Sequence, residues 1–195
     1  MSSWFSFLTY VLVTAITPGP NNIMSMSNGS SRGFRGALPY AFGVLTGQFT
    51  VMLLCALFCS LLSAMMPKIK LPMLILGAIY ILWLAWKTFR SSGELRHRNG
   101  RGDYLSGVVL QFINPKGYLY GIVSMQVYIL PHYQGRYAAL VGFALMLATV
   151  CFLSNLCWAA FGSALKRLFT RHARAVNTVM ALLLVYCAVS LFFAQ

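Results

Sequence analysis

The residues best able to do chemistry in this chain are few, and they sit in unusual places. Lys116 lies about twelve residues into an apolar run that begins near Tyr104, with Asn114-Pro115 before it and Gly117 after it. A charge near the centre of a bilayer costs about 2.5–3.5 kcal/mol on insertion scales, so an ionisable group there is a functional candidate by default. An earlier apolar run is interrupted by Thr17-Pro18-Gly19-Pro20-Asn21-Asn22. Proline removes a backbone N–H and clashes with the carbonyl four residues back, so two prolines around a glycine are expected to unwind the helix rather than bend it. Unwound backbone at membrane depth is tolerated only where it lines a cavity or packs against protein. Its freed amides and carbonyls can hold a small polar solute, and the N-termini of half-helices favour anions such as a carboxylate. The chemistry on offer is binding, not bond cleavage.

Three environments are open to Lys116: contact with a substrate carboxylate, burial as the neutral amine, or an extended side chain reaching the interface. The first two can alternate in one cycle that exchanges substrate for a proton. Glu94 and Asp103 are the only acidic residues, and both fall in a polar connection beside arginines, where solvated charges are expected. No protein carboxylate is therefore expected to partner Lys116. Gln111, one helical turn before Asn114, is the polar neighbour most suited to join the site. Gln48, Gln126 and Asn155 either line a pathway or hydrogen-bond a neighbouring helix. The expected substrate-binding set is Pro18, Gly19, Pro20, Asn21, Asn22, Gln111, Asn114, Pro115 and Lys116.

Other chemistries lack their parts. The histidines, His97, His132 and His172, all lie in or beside connections, so no Ser–His or Cys–His pair can be assembled within an apolar segment. The five cysteines form no Cys-x-x-Cys pair; Cys55 and Cys59 share a helix face without the His or carboxylate that a metal shell needs. No phosphate-binding glycine loop is present. No cofactor, metal or enzymatic activity is expected, and energy is expected from a gradient rather than from bound ATP.

These residues must be held by an all-α membrane fold. The chain has 195 residues, 59% hydrophobic and 9% charged, with mean hydropathy +0.73. A soluble domain is about 25% charged. The net charge of +13 raises nucleic acid as a partner, but the basic residues punctuate apolar runs, where they set topology beside anionic lipid. Spans about 20 residues long are needed to cross a bilayer, and segments 3–27, 37–66, 71–90, 104–130, 137–165 and 175–194 qualify. Without a basic leader region, the first is expected to stay in the mature protein. Alternate connections carry eleven basic residues on one side against Lys68, Lys70 and Arg136 on the other. The richer side is expected to be cytoplasmic, with both termini outside.

Three spans on each side of a polar linker give two halves, 1–90 and 104–195 around 91–103, of opposite orientation by parity. Gly33-Phe34-Arg35-Gly36-Ala37-Leu38 resembles Gly135-Arg136-Tyr137-Ala138-Ala139-Leu140 at an offset of 102 residues, and the two broken helices lie about 97 apart. The expected fold is thus six transmembrane helices as two inverted three-helix repeats, each with its first helix broken. Gly43-x-x-x-Gly47 suits close helix packing, between spans or between protomers of a homodimer.

The segments Thr17-Pro18-Gly19-Pro20-Asn21 and Gln111-Phe112-Ile113-Asn114-Pro115-Lys116 resemble the two signatures of the LysE/RhtB superfamily of bacterial amino-acid exporters, and length and span count agree over the whole chain. Further stretches, among them Asn155-Leu156-Cys157-Trp158-Ala159, look like those of the family's exporters of cysteine and O-acetylserine. The resemblance implies an inner-membrane secondary transporter that exports these small neutral amino acids, driven by the proton motive force. Threonine or homoserine are alternative substrates, and the absence of an intramembrane carboxylate argues against cationic ones. A membrane enzyme would need a polar catalytic pair, and an assembly subunit a longer soluble loop; the sequence supplies neither.

Overall fold

A computed structural model describes residues 2–90, 100–133, 135–165 and 173–193. Linker residues 91–99, with Glu94, Arg96, His97 and Arg98, fall outside the described residues, as do Lys166, Arg167, Arg171 and His172. Every described element is helical: α1 (Ser2–Ile16), α2 (Pro20–Phe89), α3 (Gly100–Ile113), α4 (Pro115–Val123), a π-helical stretch Ser124–Ile129, α5 (Leu130–Tyr133), α6 (Tyr137–Ala164) and α7 (Ala173–Phe193). Phe5, Leu12, Ile75, Leu76, Ile79, Trp86, Leu182 and Tyr186 all stand exposed. In water such a surface would drive association; it is consistent with a surface facing lipid. Pro20–Cys59 and Tyr137–Ala164 have the length and hydropathy to cross a bilayer, while Trp4–Ile16, Leu74–Trp86, Asp103–Ile113 and Thr178–Val189 are shorter apolar helices.

The run Pro20–Phe89 is not a rod. Asn21 and Gly47 both touch the side chain of Gln111, yet a straight helix would hold them about 39 Å apart at about 1.5 Å per residue. The chain reverses at Gly33, whose φ of 78° and ψ of 171° lie outside the helical region and favour a residue without Cβ. Gly135, which lies 102 residues after Gly33, has the same φ of 78° and stands two residues before α6 begins at Tyr137. The chain doubles back again between Gln48, which lines the same cavity as Asn114, and Gly77, which packs on Ile113 and Pro115. Phe58 (φ −122°, ψ 26°) is the non-helical residue in that interval.

Two apolar clusters flank the middle of the molecule. One joins Phe7 and Val11 to Val51, Met52, Met125, Ile129 and Leu147. The other joins Ile23, Met26, Tyr40 and Val44 to Ile81, Leu110, Met180 and Leu184. Two glycine crossings bring backbones together. Gly29 and Gly162 lie against the carbonyls of Ala159 and Met26, and Gly43 and Gly107 against those of Tyr104 and Tyr40. In each pair, either glycine meets the residue three before its partner, so any Cβ there would strike backbone. Gly47 packs on Val108 and Gln111. The Gly43-x-x-x-Gly47 pair is therefore used between helices of one chain.

The structure corrects three expectations. Residues 67–70 do not form a loop: α2 continues helical through them, even though Pro67 removes one intrahelical hydrogen bond. The linker does not extend to Asp103, because α3 begins at Gly100. Asp103 is not a solvated loop charge either. It is 2% exposed and pairs with Arg32, which also donates to Asn28 Oδ1 at 2.6 Å.

Candidate functional site

The first interruption leaves residues 17–19 outside any helix, with Gly19 extended at φ −156°, ψ 176° before α2 starts at Pro20. Ending α1 at Ile16 strips its last carbonyls of intrahelical donors, and in a lipid environment water cannot replace them. Side chains do so. Ala15 O accepts from Asn22 Nδ2 at 3.0 Å and Ser154 Oγ at 2.8 Å. Ile16 O accepts from Trp158 Nε1 at 3.3 Å and Asn22 Nδ2 at 3.4 Å. Thr17 O accepts from Lys116 Nζ at 3.0 Å and Asn22 Nδ2 at 3.0 Å. The freed carbonyls anticipated as substrate ligands are thus already occupied by protein donors.

The second interruption is a single residue. Asn114 (φ −87°, ψ 103°) separates α3 from α4 and caps α4, its Oδ1 accepting from Lys116 N at 3.2 Å. Pro115 sits at the first helical position, where its missing N–H costs nothing. The next turn carries Lys116 back toward the first interruption, its Nζ on Thr17 O. A Cβ built on Gly19 would lie 3.3 Å from Lys116 Nζ, so glycine leaves room for the lysine there. A cation at the C-terminal end of α1 also meets the negative end of its dipole.

A reciprocal amide pair locks the two interruptions together. Asn21 Nδ2 donates to Gln111 Oε1 at 2.8 Å, and Gln111 Nε2 returns the bond to Asn21 Oδ1 at 3.1 Å while also donating to Gly107 O at 2.8 Å. Between these elements lies a cavity leaving about 40 Å³ for the centres of water molecules, room for a small ligand rather than a large one, since a single water needs about 10–15 Å³ on this measure.

Of the nine expected site residues, Gly19, Pro20, Asn21, Asn22, Asn114 and Lys116 line this cavity. Pro18 is exposed and only breaks the helix. Gln111 is buried behind the cavity holding Asn21, and Pro115 packs against Gly77. The wall also includes Thr14, Ala15, Gln48, Gly117, Tyr120, Cys151 and Asn155. Gln48 and Asn155 had a signal, being amides inside apolar runs. Thr14, Tyr120 and Cys151 carried none, because such residues are common on helix faces. Gln126 is exposed and takes no part. Lys116 is the one charged residue in the lining. At α2, no side chain caps the N-terminus, Pro20 has no N–H, and Ile23 N bonds Gly19 O. The cavity therefore combines an ammonium group with an uncapped helix N-terminus, both favouring an anion.

The chain is 39% identical over 189 residues, 96% of each chain, to a cysteine/O-acetylserine efflux protein of Escherichia coli (strain K12), and equally similar to one of Shigella flexneri serotype 5b (strain 8401). A protein of the same description from Escherichia coli O6:K15:H31 (strain 536 / UPEC) is 40% identical over the same span. No solved structure matches significantly. A family model described as LysE type translocator matches residues 12–195, and the chain belongs to that family.

Proposed function

We propose that this chain is a secondary exporter of small neutral amino acids, with cysteine and O-acetylserine as substrates, driven by the proton motive force across a bacterial inner membrane. The observation that carries the reading is the single charged side chain, Lys116, facing a cavity built from both helix interruptions. In this reading the substrate carboxylate takes Lys116 Nζ and the amides at the start of α2. Lys116 then exchanges Thr17 O for the substrate, and Asn22 keeps that carbonyl satisfied meanwhile. The absence of an acidic side chain from the lining disfavours cationic substrates. The six helices are read as two inverted repeats, with the basic connections cytoplasmic and both termini outside; the shared left-handed glycines at 33 and 135 support the repeat.

Inside-out vesicles loaded with a proton gradient test this directly, by uptake of labelled cysteine, O-acetylserine and threonine. Gradient-dependent uptake of the first two is expected. Lys116→Met is expected to reduce it by about 10- to 150-fold, the worth of a hydrogen bond to a charged group. Uptake of none of the three by the wild-type chain, or wild-type rates from Lys116→Met across pH, would refute the proposal.

A further inference from the structure

Six amide side chains line or brace the cavity, and five are engaged. Asn21 and Gln111 bond each other. Asn22 donates to the end of α1, Asn114 caps α4, and Asn155 accepts from Ser25 Oγ at 2.6 Å while donating to Cys151 O at 2.8 Å. Gln48 differs. It is 2% exposed and lines the cavity, yet among the described residues nothing donates to or accepts from its amide. Its atoms are not sealed off as are the buried, unpartnered Tyr40 Oη and Ser124 Oγ, neither of which lines the cavity. The amide rests against Gly117, where a built Cβ would lie 3.2 Å from Gln48 Oε1; glycine there leaves the amide its place. Burying an unpartnered amide is unfavourable, and the arrangement persists where a ligand completes it.

The cavity's imbalance identifies which ligand group does so. Donors are plentiful: Lys116 Nζ and the uncapped start of α2. Acceptors are scarce, because the carbonyls of Ala15, Ile16 and Thr17 each already receive two donors, and no carboxylate is present. A zwitterion whose carboxylate is held by the donors still brings three N–H donors on its ammonium. We propose that Gln48 receives the substrate's α-ammonium group, Oε1 accepting from it, and so selects amino acids over amine-free carboxylic acids. The inference rests on the export reading above.

The test uses vesicles carrying the full chain and labelled cysteine, competed by unlabelled cysteine or by 3-mercaptopropionate, which keeps the thiol and carboxylate and lacks the amine. Gln48→Leu is expected to raise the half-inhibiting concentration of cysteine by about tenfold or more, leaving that of 3-mercaptopropionate unchanged. Gln48→Glu, which keeps the acceptor and adds charge, is expected to shift the ratio of the two by about tenfold toward cysteine. If Gln48→Leu weakens both competitors equally or neither, the role of Gln48 is overturned. If Gln48→Leu does not reach the membrane, an unchanged ratio in Gln48→Glu overturns it alone. Failure of the wild-type chain to take up any amino acid overturns the export reading, and this inference with it.

Discussion

The two helix interruptions resemble each other in sequence and differ in how they are stabilised. The break at residues 17–19 is wide, and its exposed carbonyls are covered from elsewhere: Asn22 from α2, Ser154 and Trp158 from α6, Lys116 from α4. The break at Asn114 is one residue long and satisfies itself, through the asparagine's own side chain and the Gly117 N–H to Asn114 O bond at 3.0 Å. A double proline forces the first chain segment to surrender a full turn of hydrogen bonds. A lone proline at the first position of a helix surrenders none. One interruption is a receptor for other elements' donors; the other is a rigid mount that delivers one of those donors.

That contrast can be broken at its most heavily used residue. Asn22→Ala removes three bonds from the first break, and with each carbonyl keeping one other donor the cost is expected to be about 2–3 kcal/mol. SDS-titration unfolding in mixed micelles reads it, and a loss no larger than that of Asn114→Ala would erase the distinction. Asn114→Ala should cost about 1 kcal/mol, the value of a helix N-cap, by the same measurement. Lys116→Met is expected to separate function from stability, lowering stability by about 1 kcal/mol or less, since Asn22 still serves Thr17 O, while uptake collapses. Ser154→Ala should have the smallest effect, about 0.5–1 kcal/mol; a larger loss would mean that Asn22 contributes less to Ala15 O than its 3.0 Å distance implies.

Much of the two interruptions was readable from residue types alone, because the prolines and Asn114 act on their own backbone or through one turn of helix. The likeness of the segments at Gly33 and Gly135 was visible in the sequence, but the left-handed turn at both glycines was not. What stayed hidden depends on partners far away in the chain. Nothing local marks Ser154 or Trp158 as donors to α1, more than 130 residues earlier. Asp103 looked like an ordinary loop charge, since only the fold brings Arg32, 71 residues distant, against it and buries the carboxylate. Gln48 was visible as a polar residue in an apolar run, but its vacant amide depends on what surrounds it. The helix through 67–70 shows that neither two lysines nor Pro67 is by itself a sufficient stop signal.

The glycine crossings have a mechanical consequence. Gly29 with Gly162 fastens the segment after the first break to α6, and Gly43 with Gly107 fastens the segment after the first reversal to α3. Each clasp ties a segment before the linker to one after it, carbonyl against bare Cα. The N-terminal and C-terminal portions of the chain therefore interlock rather than stand as separate bodies. Cutting the linker would leave them joined, whereas a single methyl at any of the four glycines would strike backbone and pry a clasp apart.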